Sequence, residues 1–358
     1  MMLPTYETVD GEVKESKFLG FLAKYRGAIE DEIFKHIPRS DSLPEMKYGL
    51  EEHWKMVVDY PERGGKYVRP GLLLLSTYAS GADIQKAMTT AAAMEISEDW
   101  LLVHDDFQDH SEQRRGKPTL PILHGDELAV NAGDHLHLLM WKILLENRGS
   151  LGAEECFEIS QEMERFLQTT CEGQFLELSW TKSGRIVGED EYFAMVDRKT
   201  GSYTIIGPLR LGAMVAGNYQ ALEPIEEFGL ALGRAFQIHD DWLNVFSAKT
   251  GKELGGDILE GKRTLLLARL VEQLDKEGDQ EDLDYVKGVF RKPRMDKSAN
   301  DVTRIIDLYE EHGCRDWVRL RTMKFADLAR LNLEKVPYSD EGKEILLDAI
   351  DFIVNREL

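Results

Sequence analysis

Two short stretches carry the residues best suited to chemistry. Leu101–Asp109 reads LLVHDDFQD, and Phe236–Asn244 reads FQIHDDWLN. Both hold His-Asp-Asp-aromatic after an apolar run. On a helix, Asp105 and Asp109 lie one turn apart on one face, and like charges at that spacing repel. A hard divalent cation resolves the conflict. Mg²⁺ takes oxygen ligands and usually keeps waters or substrate phosphates in its shell. In an acidic chain a single motif of this kind also fits a solvated helix face. The apolar flanks Leu101, Leu102, Val103, Phe236 and Ile238 argue against full exposure. A buried carboxylate cluster is costly unless a cation or hydrogen bonds compensate it. Two such clusters on facing helices of a bundle can hold several metals between them.

Basic residues recur around these clusters. Gly64–Pro70 reads GGKYVRP, placing Lys66 and Arg69 at an expected helix start, where backbone N–H groups and cations together attract an anion. Arg114 and Arg115 follow the first cluster in HSEQRRGKP, and Arg forks bind phosphate oxygens bidentately. Lys199-Thr200-Gly201 reads as a turn between two helices that presents a cation and a hydroxyl. Lys252 (in TGKELGGD) and Lys262 (in EGKRT) follow the second cluster. Each of these alone also fits an ordinary surface turn. Their arrangement around two acidic clusters is a stronger signal than any of them alone.

The elements that position these residues read as helices. Period-3.6 patterning dominates, and no convincing run of alternating β-branched residues is present. An amphipathic helix is expected from about Val13 to Ile37, another from Tyr48 to Val58 that stops at Pro61, and a third opening at Lys66. Ala82 to about Gln108 reads as a long, nearly all-apolar helix inside a bundle. Further helices are expected at roughly 126–147, 153–180, 189–199, 203–218, 223–247, 263–276, 280–291, 300–312, 314–334 and 341–355. No linker or 20–50-residue repeat divides the chain. The reading is one all-α domain over residues 1–358, with peripheral helices from about 263.

Composition narrows the function classes. The chain has 358 residues, 44 Lys+Arg against 65 Asp+Glu, and a formal net charge of −21. That balance argues against nucleic acid and against an anionic membrane surface. An anionic substrate then needs a locally basic or metal-filled site. Cys156, Cys171 and Cys314 are odd in number and widely spaced, so a reducing compartment is the default. The first residues lack a signal-peptide pattern, and no stretch approaches the ~20 apolar residues of a membrane span. A cytoplasmic protein is expected.

From about Gly64 to Thr264 the chain resembles the trans-isoprenyl diphosphate synthases, the polyprenyl synthetase family that includes farnesyl and geranylgeranyl diphosphate synthases. The likeness rests on GGKxxRP, DDxxD followed by RRG, GQFLEL at 173–178, KTG at 199–201, FQxxDD at 236–241 and GGDILEGKRT at 255–264, in that order. It implies an isoprenoid-synthase bundle of long helices around a deep central cavity. It also implies a homodimer and Mg²⁺-dependent head-to-tail condensation of isopentenyl diphosphate with an allylic diphosphate. Carried over, Asp105 and Asp109 bind two Mg²⁺ with Asp106 in support, and Asp240 binds a third near Asp241. Arg114, Lys199, Thr200, Gln237, Lys252 and Lys262 hold the allylic diphosphate, and Lys66, Arg69 and Arg115 hold isopentenyl diphosphate. The chemistry agrees: an allylic C–O bond ionises when metals and cations placed in advance stabilise the leaving diphosphate, and a dry cavity keeps water from the allylic cation.

Three departures from the family pattern stand out. The second motif ends in Asn244 instead of Asp; Asn can still donate to a metal-bound water. Glu98 stands seven residues before Asp105, where the family usually has His or Gln at the isopentenyl diphosphate site. It would repel a bare diphosphate, and the other readings are pairing with Lys66 or Arg69, altered substrate use, or a place in a polar gap between helices. The C-terminal NREL lacks the basic tail of some farnesyl synthases. Product length is expected to depend on Trp100 and Leu101, with the small Ser97, Ala93 and Ala92 deeper on the same helix. Each turn adds about 5.4 Å of depth, comparable to one isoprene unit. Geranylgeranyl diphosphate (C20) is the expected product, with farnesyl or longer chains as alternatives. A class I terpene cyclase, a non-catalytic subunit of a heteromeric synthase and a purely structural bundle are the rival readings.

Overall fold

The computed structural model describes residues 3–247 and 254–357, so Lys252 lies outside the described residues. The chain opens with a hairpin of β1 (Thr5–Glu7) and β2 (Val13–Glu15), antiparallel with Tyr6 opposite Lys14. Periodicity assigns Val13 to the first helix, but Gly11 at φ 81° turns the chain back and residues 13–15 pair as a strand. Ser16 then caps α1 (Lys17–His36), its hydroxyl accepting the Leu19 N–H. Helix α2 (Leu50–Arg63) runs through Pro61 instead of stopping there. A proline in the final turn removes one backbone hydrogen bond, and Gly64 at φ 64° ends the helix. Helix α3 (Val68–Ala79) begins two residues after Lys66, because Tyr67 adopts a left-handed conformation.

A 3₁₀ turn at Ile84–Ala87 leads into α4 (Met88–Gln108), which carries the first acidic cluster. Its Ala91, Ala92, Ala93, Met94 and Ile96 are fully buried, which fixes it inside the bundle. A second hairpin follows, β3 (Gln113–Arg114) on β4 (Lys117–Pro118), with Arg114 opposite Lys117. Its two-residue turn is Arg115-Gly116, both at positive φ, as a type I′ turn requires. Then come α5 (Leu120–His124), α6 (Asp126–Leu145), α7 (Asn147–Ser150) and the long α8 (Ala153–Ser183).

Helices α9 (Glu189–Val196) and α10 (Gly207–Val215) are joined without a break by a π-helical stretch, Asp197–Ile206. The turn expected at Lys199–Gly201 is therefore helical. The wider π winding turns Lys199 and Thr200 toward neighbouring helices while the chain keeps its direction. Helix α11 (Leu222–Phe246) carries the second acidic cluster. It packs against the π stretch on one side. The remaining helices are α12 (Gly256–Glu260), α13 (Leu265–Glu277), α14 (Gln280–Val289), α15 (Ala299–Glu311), α16 (Cys314–Leu333) and α17 (Asp340–Asn355). Not all of these are peripheral. Helix α16 lies along α11 and buries Ala326, Ala329 and Leu333, small and apolar residues that allow close approach.

Candidate active site

The second acidic cluster borders a cavity of about 80 Å³, lined in part by Glu177, Lys199, Gln237, Asp240, Asp257 and Lys262. Helix α4 brings Asp105 and Asp109 beside two of its lining lysines, Lys199 and Lys262, at its last turn, where the Asp109 N–H still bonds to the Asp105 carbonyl at 2.8 Å. Asp105 lies 3.6 Å from Arg114 and 3.9 Å from Lys199, and it accepts the Gln174 amide at 3.3 Å. Asp109 lies 3.6 Å from Lys262, which reaches Asp257 at 3.6 Å and Glu260 at 2.8 Å. Lys262 thus links the first cluster to α12, the short helix that follows the second. Lys199 is paired with Glu177 of α8 as well. Arg114, Lys199, Asp105, Asp109 and Lys262 are therefore brought together as the sequence indicates.

The electrostatics of this group are strained without a cation. Burial pushes the Asp109 carboxyl up to about 7, and its neighbour Asp105 adds to the shift against the pull of Lys262. Burial also acts upward on Asp105, but Lys199, Lys262 and Arg114 outweigh it and hold that carboxyl below the usual range. Burial lowers Lys199 and Lys262, yet the surrounding carboxylates dominate and keep both ammonium groups charged. Among the described residues, no three His, Cys, Asp or Glu side chains converge as a ready-made metal cage. The donors present are hard oxygens divided between facing helices. That donor set suits a cation that completes its octahedron with waters and substrate oxygens.

Asp106 faces elsewhere. It is fully buried and accepts the Tyr60 hydroxyl at 2.5 Å and the Arg114 fork at 2.5–3.2 Å. Its oxygens are taken up in holding Arg114 beside Asp105, so its support is indirect. On α11, Asp241 accepts the Tyr192 hydroxyl at 2.8 Å and the Gln237 amide at 2.7 Å. Burial, and then the charge of Asp257, raise its carboxyl well above the usual range. Thr200 donates to Gln237 at 2.6 Å, tying the π stretch to α11. Asn244 Oδ1 accepts the Asp257 N–H at 2.9 Å and so starts α12; an aspartate there would add a third acid beside Asp240 and Asp241. Asp240 is paired at 2.9 Å with Arg356, whose own backbone is tied to the first hairpin by a bridge to Thr8.

A second basic group lies along α4, one to two turns before Asp105. Arg69 pairs with Glu98 at 2.7 Å, donates to Thr204 at 3.0 Å and lies over the Tyr203 ring. Arg115 pairs with Asp99 at 3.1 Å and lies 4.0 Å from Glu95. Lys66 is exposed just before α3. Of the readings open for Glu98, pairing with Arg69 is the one observed. Trp100 is 8 % exposed and stacks on His137 of α6, ring centroids 4.1 Å apart. Leu101 is partly buried against the same core.

Sequence reasoning passed over Glu177, Asp257, Tyr60, Tyr192, Asp99 and Arg356. Glu177 and Asp257 sat inside motifs already noticed, GQFLEL and GGD. The two tyrosines, Asp99 and Arg356 had no local signal, because their partners are remote in sequence.

Three comparisons bear on this geometry. A family model for polyprenyl synthetase matches residues 51–306. The chain is 32% identical over 344 residues to a short chain isoprenyl diphosphate synthase of Methanothermobacter thermautotrophicus, covering 95% of this chain and 98% of that one. It is 33% identical to a geranylgeranyl pyrophosphate synthase of Geoglobus acetivorans, over 88% of this chain and 92% of the relative. Among solved structures, the geranylgeranyl pyrophosphate synthetase of Pyrococcus horikoshii superposes with a TM-score of 0.81 at 29% identity, covering 95% of this chain and 100% of the other. A geranylgeranyl pyrophosphate synthase of Corynebacterium glutamicum, complexed with isoprenyl diphosphate and magnesium, gives 0.83 at 25% identity, covering 93% and 98%.

Proposed function

The chain belongs to the polyprenyl synthetase family and is a prenyltransferase, and from that premise we propose that it condenses isopentenyl diphosphate with an allylic diphosphate to make geranylgeranyl diphosphate. The observation that carries the reading is the link between the two acidic clusters: Lys199 and Lys262 line the cavity beside the second and reach Asp105 at 3.9 Å and Asp109 at 3.6 Å in the first. The C20 product is supported by the names of relatives at about 30% identity over most of the chain.

In this reading Lys199, Lys262, Arg114, Thr200 and Gln237 hold the allylic diphosphate, and Lys252 joins them from outside the described residues. Bound Mg²⁺, on which the family generally depends, would draw electron density from the leaving diphosphate; we propose three ions, held by Asp105, Asp109 and Asp240 with Asp241 and Asn244 nearby. The allylic C–O bond breaks, the isopentenyl double bond attacks the resulting cation, and the released diphosphate takes the proton lost. Arg69, Arg115 and Lys66 hold the isopentenyl diphosphate so that its double bond meets that cation. Trp100 and Leu101 limit chain growth along α4.

We also propose a homodimer. Helices α5, α6 and α8 expose Ile122, Leu138 (67 %), Leu145 (57 %) and Phe157 (63 %), and in this reading the partner copy covers them. No described helix is long and apolar enough to cross a membrane, and the free cysteines suit a cytoplasmic place. The reading is tested by incubating the protein with labelled isopentenyl diphosphate, Mg²⁺ and, separately, C5, C10 and C15 allylic diphosphates. A C20 alcohol after dephosphorylation is expected. Hydrocarbon formed from the allylic substrate alone would instead mark a cyclase.

A further inference from the structure

The second basic group has an unusual charge balance. Its cations are Lys66, Arg69 and Arg115. On α4, Glu98 faces Arg69, and Asp99 and Glu95 face Arg115; Glu95 is 2 % and Asp99 0 % exposed. Arg69 is held by Glu98 at 2.7 Å and Arg115 by Asp99 at 3.1 Å. Neither arginine fork is spare. One oxygen each of Glu95 and Asp99, and the Nε of Arg69, are buried without any hydrogen-bond partner. A buried polar atom left unpaired is costly. The pairs occupy both arginines while leaving the hydrogen bonding around them incomplete.

We propose that Glu98 and Asp99 form a carboxylate lock on the homoallylic diphosphate site: each holds one of the two arginines that the substrate's diphosphate recruits, so the substrate binds only by breaking both pairs. The inference rests on the assignment of Arg69 and Arg115 to that substrate. It makes these two acids specificity-determining residues. They exclude weak anions, which cannot displace a carboxylate from an arginine fork, and admit a diphosphate, whose clustered oxygens can.

Proton uptake offers a second way to release the lock. Burial pushes the Asp99 carboxyl up to about 7, and the nearby Glu98 adds to this against the pull of Arg115. Burial and then Glu98 and Asp99 likewise raise Glu95. The groups facing these acids are Arg69 and Tyr67 at the start of α3, Asp59 of α2, Arg115 of the hairpin and Tyr203 of the π stretch, with Arg26 and Glu30 of α1 reaching them through Tyr67. From α6, His137 stacks on Trp100 in the same stretch of α4. An arriving diphosphate favours the neutral carboxyl, which lets go of Arg115. The sign follows: homoallylic affinity falls as pH rises through about 7, where Asp99 ionises.

The test uses Glu98→Gln and Asp99→Asn, isosteric changes that keep a hydrogen-bond acceptor for each arginine. Isopentenyl diphosphate binding is measured by calorimetry, and its KM by turnover with Mg²⁺ and a C15 allylic diphosphate. Each variant is expected to tighten isopentenyl diphosphate by about tenfold, one negative charge being removed beside the bound anion, with the allylic KM moved less than twofold. The wild-type homoallylic Kd should rise from pH 6 to pH 8, and that slope should flatten in Asp99→Asn. Unchanged or weaker binding in both variants, with a flat wild-type slope, overturns the lock. Turnover without tightening sinks the lock and leaves the prenyltransferase reading intact. Tightening without turnover does the reverse.

Discussion

Asp105, Asp106 and Asp109 share one motif and do three different things. Asp106 is spent on Tyr60 and Arg114, whereas for Asp109 burial and the charge of Asp105 outweigh the pull of Lys262. Their substitutions should therefore separate stability from activity. Asp106→Asn is expected to lower unfolding stability by about 3 kcal/mol, because it breaks a buried ion pair from one side. Asp109→Asn is expected to raise the stability of the metal-free protein at pH 8 by about 1 kcal/mol, since it relieves a buried like-charge contact, while prenyl transfer falls by more than about 100-fold. Chemical denaturation without Mg²⁺ and initial rates with it check both. If Asp109→Asn destabilises the metal-free protein, the site is not frustrated. At this scale the sequence reports the acids and most of the cations, because their spacing is local. It does not report which acid turns inward: that depends on Tyr60, 46 positions away.

Helix periodicity makes the elements legible, and their boundaries come within a few residues of the observed ones. The two hairpins escape it, being two or three residues per strand with no alternation to read. The π stretch escapes it too, because KTG is good turn chemistry and only packing shows it to be helical. That packing is specific. A Cβ on Gly173 of α8 would lie 2.4 Å from the Lys199 backbone nitrogen and 2.8 Å from its Cα. Gly173→Ala must therefore push the π stretch away from α8 and move Lys199 with it. The expected result is a roughly 100-fold loss of rate, as for about 1 Å of misplacement, with Gly173→Ser no better. A rate within twofold of wild type would show that Lys199 does not depend on this contact. Trp100 belongs to the α4–α6 seam through its stack on His137. Trp100→Ala should lower stability by about 3 kcal/mol, as large-to-small core changes do, and lengthen the product. An unchanged product distribution would remove it from the floor of the cavity.

For the whole molecule, the all-α fold is legible because the helical pattern runs along the chain. Closure of the chain on itself is not. The last helix brings Arg356 back to Asp240, and the Glu357 N–H bonds to the Glu7 carbonyl at 2.9 Å, so both termini brace the second acidic cluster. Nor does periodicity show that α16 lies against α11. The apolar residues on α5, α6 and α8 are the other large-scale feature. Leu138→Glu with Leu145→Glu, one face of α6 two turns apart, is expected to convert a dimer to a monomer in analytical ultracentrifugation. A wild-type monomer at micromolar concentration would contradict the proposed assembly.

The central claim is that the two acidic clusters and the lysines between them hold a diphosphate through Mg²⁺. Titration calorimetry with a non-reacting thiolo analogue of a C15 allylic diphosphate tests it most directly. Tight binding is predicted only when Mg²⁺ is present, and it should be lost in the Asp105→Asn, Asp240→Asn double variant, whose melting temperature serves as the folding control. Equal binding with and without Mg²⁺, or undiminished binding in the double variant, would contradict the account.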